Sequence, residues 1–82
     1  MKHLVDLAMM DRLDFLIRLQ ATGSPAELAD RLGISYSSLY LTISFMKKFL
    51  KAPIRYNMYK QTFQYDSEPE FYLGFEKDRT QS

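Results

Sequence analysis

Several residue types that carry catalytic chemistry are scarce or missing in this chain. Its 82 residues include no cysteine, which excludes a disulfide framework and a thiolate nucleophile or metal ligand. The only histidine is His3, which we treat as a surface residue rather than a metal ligand. Three glycines form no glycine-rich phosphate loop, and no carboxylate pair marks a cleft. We therefore predict that the chain is not an enzyme and needs no metal or cofactor.

Long apolar runs are also missing. No segment approaches the roughly 20 apolar residues of a membrane span. No basic leader followed by an apolar stretch opens the chain, so a cytoplasmic location without membrane association is expected. Hydrophobic residues make up 46% and charged residues 26% of the chain, which is ordinary for a globular protein. We predict one domain over residues 1–82, with a core too small for an evident small-molecule site.

Acidic residues are missing from the middle of the chain. The net charge is +1, but residues 1–30 carry −2, residues 66–82 carry −3, and residues 31–65 carry +6 with no acid. A basic segment between acidic flanks is typical of a surface that meets phosphate. The alternative is a solvated face that lacks acids by chance. The basic residues of the segment are Arg31, Lys47, Lys48, Lys51, Arg55 and Lys60.

The stretch from Ser24 to Gly33 has the start and stop signals of a short helix. Ser24 and Glu27 have the spacing of a capping box, in which each side chain accepts a hydrogen bond from the other's backbone amide. Pro25 suits the first helical position, where its missing N–H costs nothing. Gly33 favours the left-handed conformation that ends a helix. The sequence therefore predicts a helix over residues 25–32.

A second helix follows almost at once. Ser35 is a good N-cap, and apolar residues then recur at helical spacing over residues 36–50. Ala29 is small at the position where two helices of this motif approach most closely. The two helices and the short turn between them predict a helix-turn-helix. Its predicted core residues are Leu28, Leu32, Ile34, Leu39, Ile43, Met46 and Leu50.

The first helix is predicted over residues 3–21 and carries two apolar stripes. One stripe, with Met9, Met10, Leu13, Leu16 and Ile17, should form the floor of the core. The other stripe lies roughly opposite and needs a covering partner, either the C-terminal segment or a second subunit. Its residues are Leu4, Ala8, Phe15 and Leu19.

After the second helix of the motif, the chain is predicted to become extended. Pro53 disfavours a helical conformation at Ala52, and two runs of alternating apolar and polar residues predict a β-hairpin over residues 54–65. We expect Arg55 and Gln64 outside and Lys60 near the tip. A third strand is possible over residues 70–76. The fold class is therefore α+β, mostly α: three helices and a hairpin wing whose inward residues are Ile54, Tyr56, Phe63 and Tyr65.

From Leu13 to Tyr65 the chain resembles small bacterial winged helix-turn-helix domains, such as those of the biotin ligase repressor and of DeoR-like regulators. The resemblance rests on ATGSPAELADRLGIS, on S-x-x-x-L-Y at the start of the second motif helix, and on A-P-I-R-Y before the wing. It implies a transcriptional regulator that binds duplex DNA, with this helix in the major groove and the wing on the backbone. The implied base-facing residues are Tyr36, Ser37, Tyr40, Leu41 and Ser44.

The chain departs from that family in the recognition helix. Family members usually carry Arg or Lys around Tyr36 and Leu41 and acidic residues near Ser44, whereas no Arg or Lys lies between Arg31 and Lys47 here. Readout of guanine is thereby weakened, because Arg and Lys make its commonest contact. The residues expected to position the protein on phosphate are Arg31, Ser38, Lys47, Lys48, Lys51, Arg55 and Lys60.

A protein-binding winged helix is the alternative. Exposed Tyr40, Leu41 and Phe45 would then dock on another protein, since a contiguous apolar patch usually marks an interface. Such a module would be an adaptor or inhibitor, of a kind that mobile elements can encode. For a DNA-binding protein we expect a homodimer, because one recognition helix reads few base pairs; if the C-terminal segment covers the second stripe of the first helix, the protein can remain a monomer. The candidate dimer or partner surface comprises Leu4, Ala8, Phe15, Leu19, Phe71 and Leu73.

Overall fold

A computed structural model describes residues 6–71 as three helices followed by a two-stranded antiparallel sheet. This arrangement confirms the predicted fold class, a mostly helical α+β domain compatible with a winged-helix-like fold. No helix in the described range is long and apolar enough to cross a bilayer. The elements are α1 (Leu7–Arg18), α2 (Pro25–Leu32), α3 (Tyr36–Phe49), β1 (Ile54–Asn57) and β2 (Thr62–Tyr65).

Helix α1 is shorter than the predicted range of residues 3–21. Asp6 has an extended backbone, and its carboxylate accepts the N–H of Ala8 at 2.9 Å, so the helix begins at Leu7. At the other end Gln20 takes a left-handed conformation with φ 54°. The helix therefore ends at Arg18, which leaves Thr22 free to reach the hairpin. Residues 3–5 lie outside the described range.

The predicted helix-turn-helix is confirmed at its caps. Ser24 Oγ accepts the N–H of Glu27 at 3.2 Å, and Glu27 Oε1 accepts the N–H of Ser24 at 2.8 Å. These bonds to Ser24 hold the pKa of Glu27 below its usual value. Gly33 ends α2 with φ 70°, and Ser35 Oγ accepts the N–H of Ser38 at 3.0 Å to start α3. Helix α3 ends at Phe49, one residue before the predicted end.

One core joins the three helices to the hairpin. The predicted inner stripes of α1 and α3 supply half of its buried apolar residues, although Met9, Leu16 and Leu50 are only half-buried, as is Ile34. Thr42 is fully buried beside the α3 stripe, where its hydroxyl donates to the Ser38 carbonyl oxygen at 2.9 Å. The buried apolar residues are Met10, Leu13, Ile17, Leu28, Ala29, Leu32, Leu39, Ile43, Met46, Ala52, Ile54 and Phe63.

The hairpin has the predicted inward face. Ile54 pairs with Tyr65 and Tyr56 with Phe63, so all four side chains lie on the side that packs on the helices. Arg55 is exposed as predicted, while Gln64 is half-buried and accepts the Asn57 amide at 3.0 Å. Of the predicted third strand, residues 70 and 71 are not in a strand, and residues 72–76 lie outside the described range.

A buried threonine pair ties the α1–α2 connection to the outer edge of β2. The hydroxyls of Thr22 and Thr62 are 3.1 Å apart, and both residues are almost completely buried. Thr22 N–H donates to Thr62 Oγ1 at 3.2 Å, and Phe63 N–H donates to Thr22 Oγ1 at 2.8 Å. These bonds satisfy an edge that would otherwise present open backbone groups.

A second polar cluster fixes β2 on α1. Tyr65 Oη donates to Asp14 Oδ1 at 2.6 Å, and Arg18 Nε lies 2.9 and 3.0 Å from the two Asp14 oxygens. Burial and the bond to Asp14 raise the pKa of Tyr65 far above its usual value of 10. Against the opposing effect of burial, the bond to Asp14 raises the pKa of Arg18. Together with the threonine pair, this cluster sets the position of the hairpin beside the helices.

Candidate nucleic-acid interface

The predicted base-facing residues all lie on the exposed side of α3. At about 100° per residue, Ser37, Leu41 and Ser44 fall opposite the buried Leu39–Met46 stripe. The centre of this face is Leu41, whose residue surface is 47% exposed. A leucine at the middle of a solvent-facing helix surface contributes nothing to the core. The face is therefore available to a partner.

A pair of tyrosines borders this face on the side of the hairpin. The rings of Tyr36 and Tyr40 lie 5.0 Å apart between centroids with a tilted geometry. Burial and the neighbouring Tyr36 hydroxyl raise the pKa of Tyr40, and Tyr56 of β1 is close enough to add to the shift. The Tyr40 hydroxyl thus stays neutral and remains a hydrogen-bond donor. This aromatic pair extends the exposed face of α3 toward Tyr56 of the hairpin.

A phenylalanine pair borders the face on the other side. Phe45 is half-buried against the core, and its ring centroid lies 4.9 Å from that of Phe49, which is 63% exposed. The Lys48 ammonium lies 5.8 Å from the Phe49 ring centroid. Phe45 was predicted from the sequence as part of a protein-binding surface, whereas Phe49 was not. Its position three residues beyond the buried Met46 was the available signal, because that spacing places it at the stripe's margin.

The predicted phosphate contacts divide into two groups. Lys47 and Lys48 in the last turn of α3, and Lys51 just after it, form no ion pair with any carboxylate within residues 6–71. Arg31 and Arg55, by contrast, have intramolecular partners. Arg31 Nη1 donates to the Ala21 carbonyl oxygen at 2.7 Å, which holds the α1–α2 connection. The three lysines are therefore the better candidates for phosphate.

Intramolecular partners are also found for three of the predicted phosphate contacts, Arg55, Ser38 and Lys60. Arg55 Nε pairs with Asp66 Oδ1 at 3.0 Å, immediately beyond the acid-free segment. Ser38 bonds through its hydroxyl to Ser35 at 3.1 Å, so it serves the start of α3. Lys60 Nζ lies 3.4 Å from Gln20 Oε1, a weak contact that a phosphate can replace.

The wing tip presents two large side chains, Met58 and Tyr59, that were not predicted from the sequence as part of the site. Tyr59 is completely exposed and Met58 is 76% exposed. The loop is held in shape because Asn57 Oδ1 accepts the N–H groups of Tyr59 and Lys60, both at 3.0 Å. Asparagine at the loop start predicts such a turn, but alternation alone does not tell which side chains project.

The second candidate surface lies on α1. Phe15 and Leu19 are 61% and 58% exposed, Ala8 is exposed, and the neighbouring Leu7 is also 59% exposed. Within residues 6–71 no segment covers this stripe. Phe71 packs elsewhere, with its ring centroid 6.0 Å from that of Tyr65 and 5.9 Å from the Arg18 guanidinium carbon. The other two residues of this surface, Leu4 and Leu73, lie outside the described range.

Residues 6–71 contain no group of three or more histidine or acidic side chains placed to hold a metal ion. Comparison of the chain with protein-family models, with curated proteins and with solved structures finds no match.

Proposed function

We propose that the chain binds duplex DNA as a transcriptional regulator, with α3 in the major groove and the hairpin on the phosphate backbone. The observation that carries this proposal is the α3 face itself. An exposed helix surface of hydroxyl and aromatic groups, without an acid, ends in Lys47, Lys48 and Lys51, whose ammonium groups have no carboxylate partner in the described part of the chain.

The dimensions of the face suit the groove. Leu41 and Lys48 lie on the same side of α3, seven residues and therefore about 10 Å apart along the axis. The major groove is about 12 Å wide, so a helix whose middle meets base edges has its end near a phosphate strand. Lys60 and Tyr59 at the wing tip are available to the neighbouring backbone. Base contacts and phosphate contacts can form at the same time.

The proposal includes a two-fold dimer formed through the α1 stripe. A single α3 covers few base pairs, and a second copy doubles the contacts on a palindromic site. Exposed Phe15 and Leu19 are the apolar surface available for that contact. Sedimentation at tens of micromolar protein should give twice the mass of the chain, and Phe15→Glu should give a folded monomer. If the C-terminal segment covers the stripe instead, the unmodified protein sediments as a single chain and Phe15→Glu chiefly lowers Tm.

The test of DNA binding is the salt dependence of duplex binding. With four to six phosphates neutralised, the logarithm of the association constant should fall with the logarithm of salt concentration at a slope of about −4 to −5. Fluorescence anisotropy with a labelled random-sequence duplex, from low to physiological salt, measures this slope. Absence of binding to any duplex at low salt rejects the proposal.

The exposed Phe49, which pairs with the half-buried Phe45, favours a second candidate function, the binding of another protein. Phe49 and Leu41 are 63% and 47% exposed, and neither is a typical phosphate ligand. A protein partner would need acidic groups opposite the three lysines. Under this alternative no duplex is retained at low salt, and capture of the partner is lost in Phe49→Ala. If the chain is a DNA-binding protein, Phe49→Ala retains most of the duplex affinity.

A further inference from the structure

Between residues 36 and 46 the exposed face of α3 lacks the charged and amide side chains that read guanine, adenine or cytosine, and its serine hydroxyls can bond to several bases without distinguishing them. Guanine is read by Arg or Lys, adenine by Asn or Gln, and cytosine by Asp or Glu, each through hydrogen bonds in the major groove. None of these six residue types occurs between residues 36 and 46. Thymine alone presents an apolar group in that groove, its C5 methyl, which an apolar side chain recognises by contact.

The residue placed to make that contact is Leu41. Ser37 and Ser44 lie four residues before it and three residues after it on the same face, and both side chains are shorter. The leucine therefore projects farthest from the middle of the face, with 47% of its surface exposed. The Tyr36–Tyr40 ring pair, 5.0 Å between centroids, extends the apolar surface on the side of the hairpin.

We propose that α3 selects A·T-rich DNA through apolar contact between Leu41, together with the Tyr36–Tyr40 pair, and the C5 methyl groups of thymine. This inference rests on the proposed function. The lysines bind phosphate in any sequence and supply most of the affinity, whereas the methyl contacts supply the preference. Burial of one methyl group is worth about a four-fold difference in Kd. The protein is thus a reader of thymine content with modest discrimination.

The test uses deoxyuridine, which differs from thymidine only in lacking the methyl group. Three hairpin-closed duplexes of equal length are compared at the same salt concentration: alternating A·T, alternating A·U and alternating G·C pairs. We expect the unmodified protein to bind A·T at least about four-fold more tightly than A·U. Because the methyl lies in the major groove, this difference reports on α3 and not on a minor-groove contact.

Two variants assign the difference to its residue. Leu41→Ala should weaken binding to A·T and remove most of the preference for A·T over A·U, with little change on A·U itself. The Tyr36–Tyr40 pair accounts for the remainder. Phe49→Ala is the control: it removes an exposed apolar side chain of the same helix that is not among the base-facing residues, and it should retain the A·T preference. Both side chains are exposed, so both variants should fold, which thermal melting checks.

The possible results separate this inference from the proposal beneath it. Equal affinity of the unmodified protein for A·T and A·U, with clear binding to both, overturns methyl recognition and leaves DNA binding intact. No affinity for any of the three duplexes overturns the proposed function as well. A preference for A·T over A·U that is undiminished in Leu41→Ala overturns the assignment to Leu41.

Discussion

Two regions of this protein carry hydroxyl groups in contrasting settings, the seam between the hairpin and α1 and the outer face of α3. At the seam, Thr22, Thr62 and Tyr65 each form side-chain hydrogen bonds of 2.6 to 3.2 Å. On the α3 face, Ser37 and Ser44 are exposed, and the side-chain bonds of that helix within residues 6–71 involve Ser38 and Thr42 instead.

Buried and exposed hydroxyl groups have different consequences for the protein. A buried hydroxyl must find a partner inside the protein, because leaving it unpaired costs about 1–3 kcal/mol. An exposed hydroxyl bonds to water and can exchange that water for a base or phosphate oxygen. The seam thus holds the wing in place, whereas the exposed α3 face is available to the partner that we propose. Substitutions in the two regions should therefore affect different measurements.

The largest expected effect is on stability at the seam. Thr22→Val keeps the shape of the side chain but removes the acceptor for the buried Phe63 N–H, which should lower the free energy of unfolding by about 2–3 kcal/mol. Urea denaturation measures it.

The matched control is Thr42→Val. Thr42 is equally buried, but its hydroxyl only donates to a carbonyl of its own helix, so its loss should cost about 1 kcal/mol or less. Equal losses at the two positions would show that burial alone, rather than the bridge between Thr22 and β2, decides the cost.

The next effect concerns alkaline pH. The pKa of Tyr65 is raised above 10 in the folded state, so its bond to Asp14 contributes fully below pH 10 and is lost as the pH rises beyond it. Tyr65→Phe should lower stability by about 1–2 kcal/mol at pH 8 and should reduce the further loss above pH 10.

Unfolding free energies between pH 8 and pH 11 test this expectation, with Tyr59→Phe as the control. Tyr59 is completely exposed at the wing tip, so its substitution should leave both the stability and its alkaline decline unchanged. The same decline in all three proteins would remove Tyr65 from the explanation.

The seam is also where sequence reasoning falls short. Capping signals are local, so Ser24, Glu27, Gly33 and Ser35 could be assigned correctly, and alternation gave the inward face of the hairpin. The Thr22–Thr62 bridge joins residues 40 apart, and a threonine before a glycine carries no signal for such a partner. For this reason α1 was predicted too long at its end.

The α3 face could be predicted better, because it depends on one helical periodicity. Every predicted base-facing residue is exposed. The sequence does not predict which cations have intramolecular partners. Arg55 pairs with Asp66, and Arg31 donates to the Ala21 carbonyl oxygen. Net charge along the chain therefore overstates the basic surface.

On the α3 face the expected effects are on DNA binding alone. Lys48→Gln should weaken binding to all duplexes and reduce the salt slope by about one unit, because a phosphate contact is lost. Arg55→Gln removes a charge that is already paired with Asp66 and is therefore less available to phosphate, so its effect on the slope should be smaller. A larger effect at Arg55 would place the wing, rather than the end of α3, at the main phosphate contact.

The smallest expected effect on stability concerns residues just beyond the ends of the helices, one near each of the two regions. Gln20, Gly33 and Lys51 all have left-handed backbones, with φ of 54°, 70° and 57°, at the ends of α1, α2 and α3. Only glycine adopts this conformation without strain, and a side chain there costs about 1–2 kcal/mol. Strain of this kind often persists where the residue has a function. Lys51 follows α3 next to the proposed phosphate contacts, whereas Gln20 lies at the seam.

Replacement by glycine should therefore give different results at the two strained positions. Gln20→Gly and Lys51→Gly should each raise the free energy of unfolding by about 0.5–1 kcal/mol, since the relieved strain exceeds the added entropy of the unfolded chain. Only Lys51→Gly should weaken duplex binding, because only it removes a cation next to the DNA. Urea denaturation and anisotropy on the same protein preparations give both numbers. If Lys51→Gly gains stability and binds duplexes as tightly as the unmodified protein, the lysine is not kept there for phosphate, and the DNA-binding surface must end before Lys51.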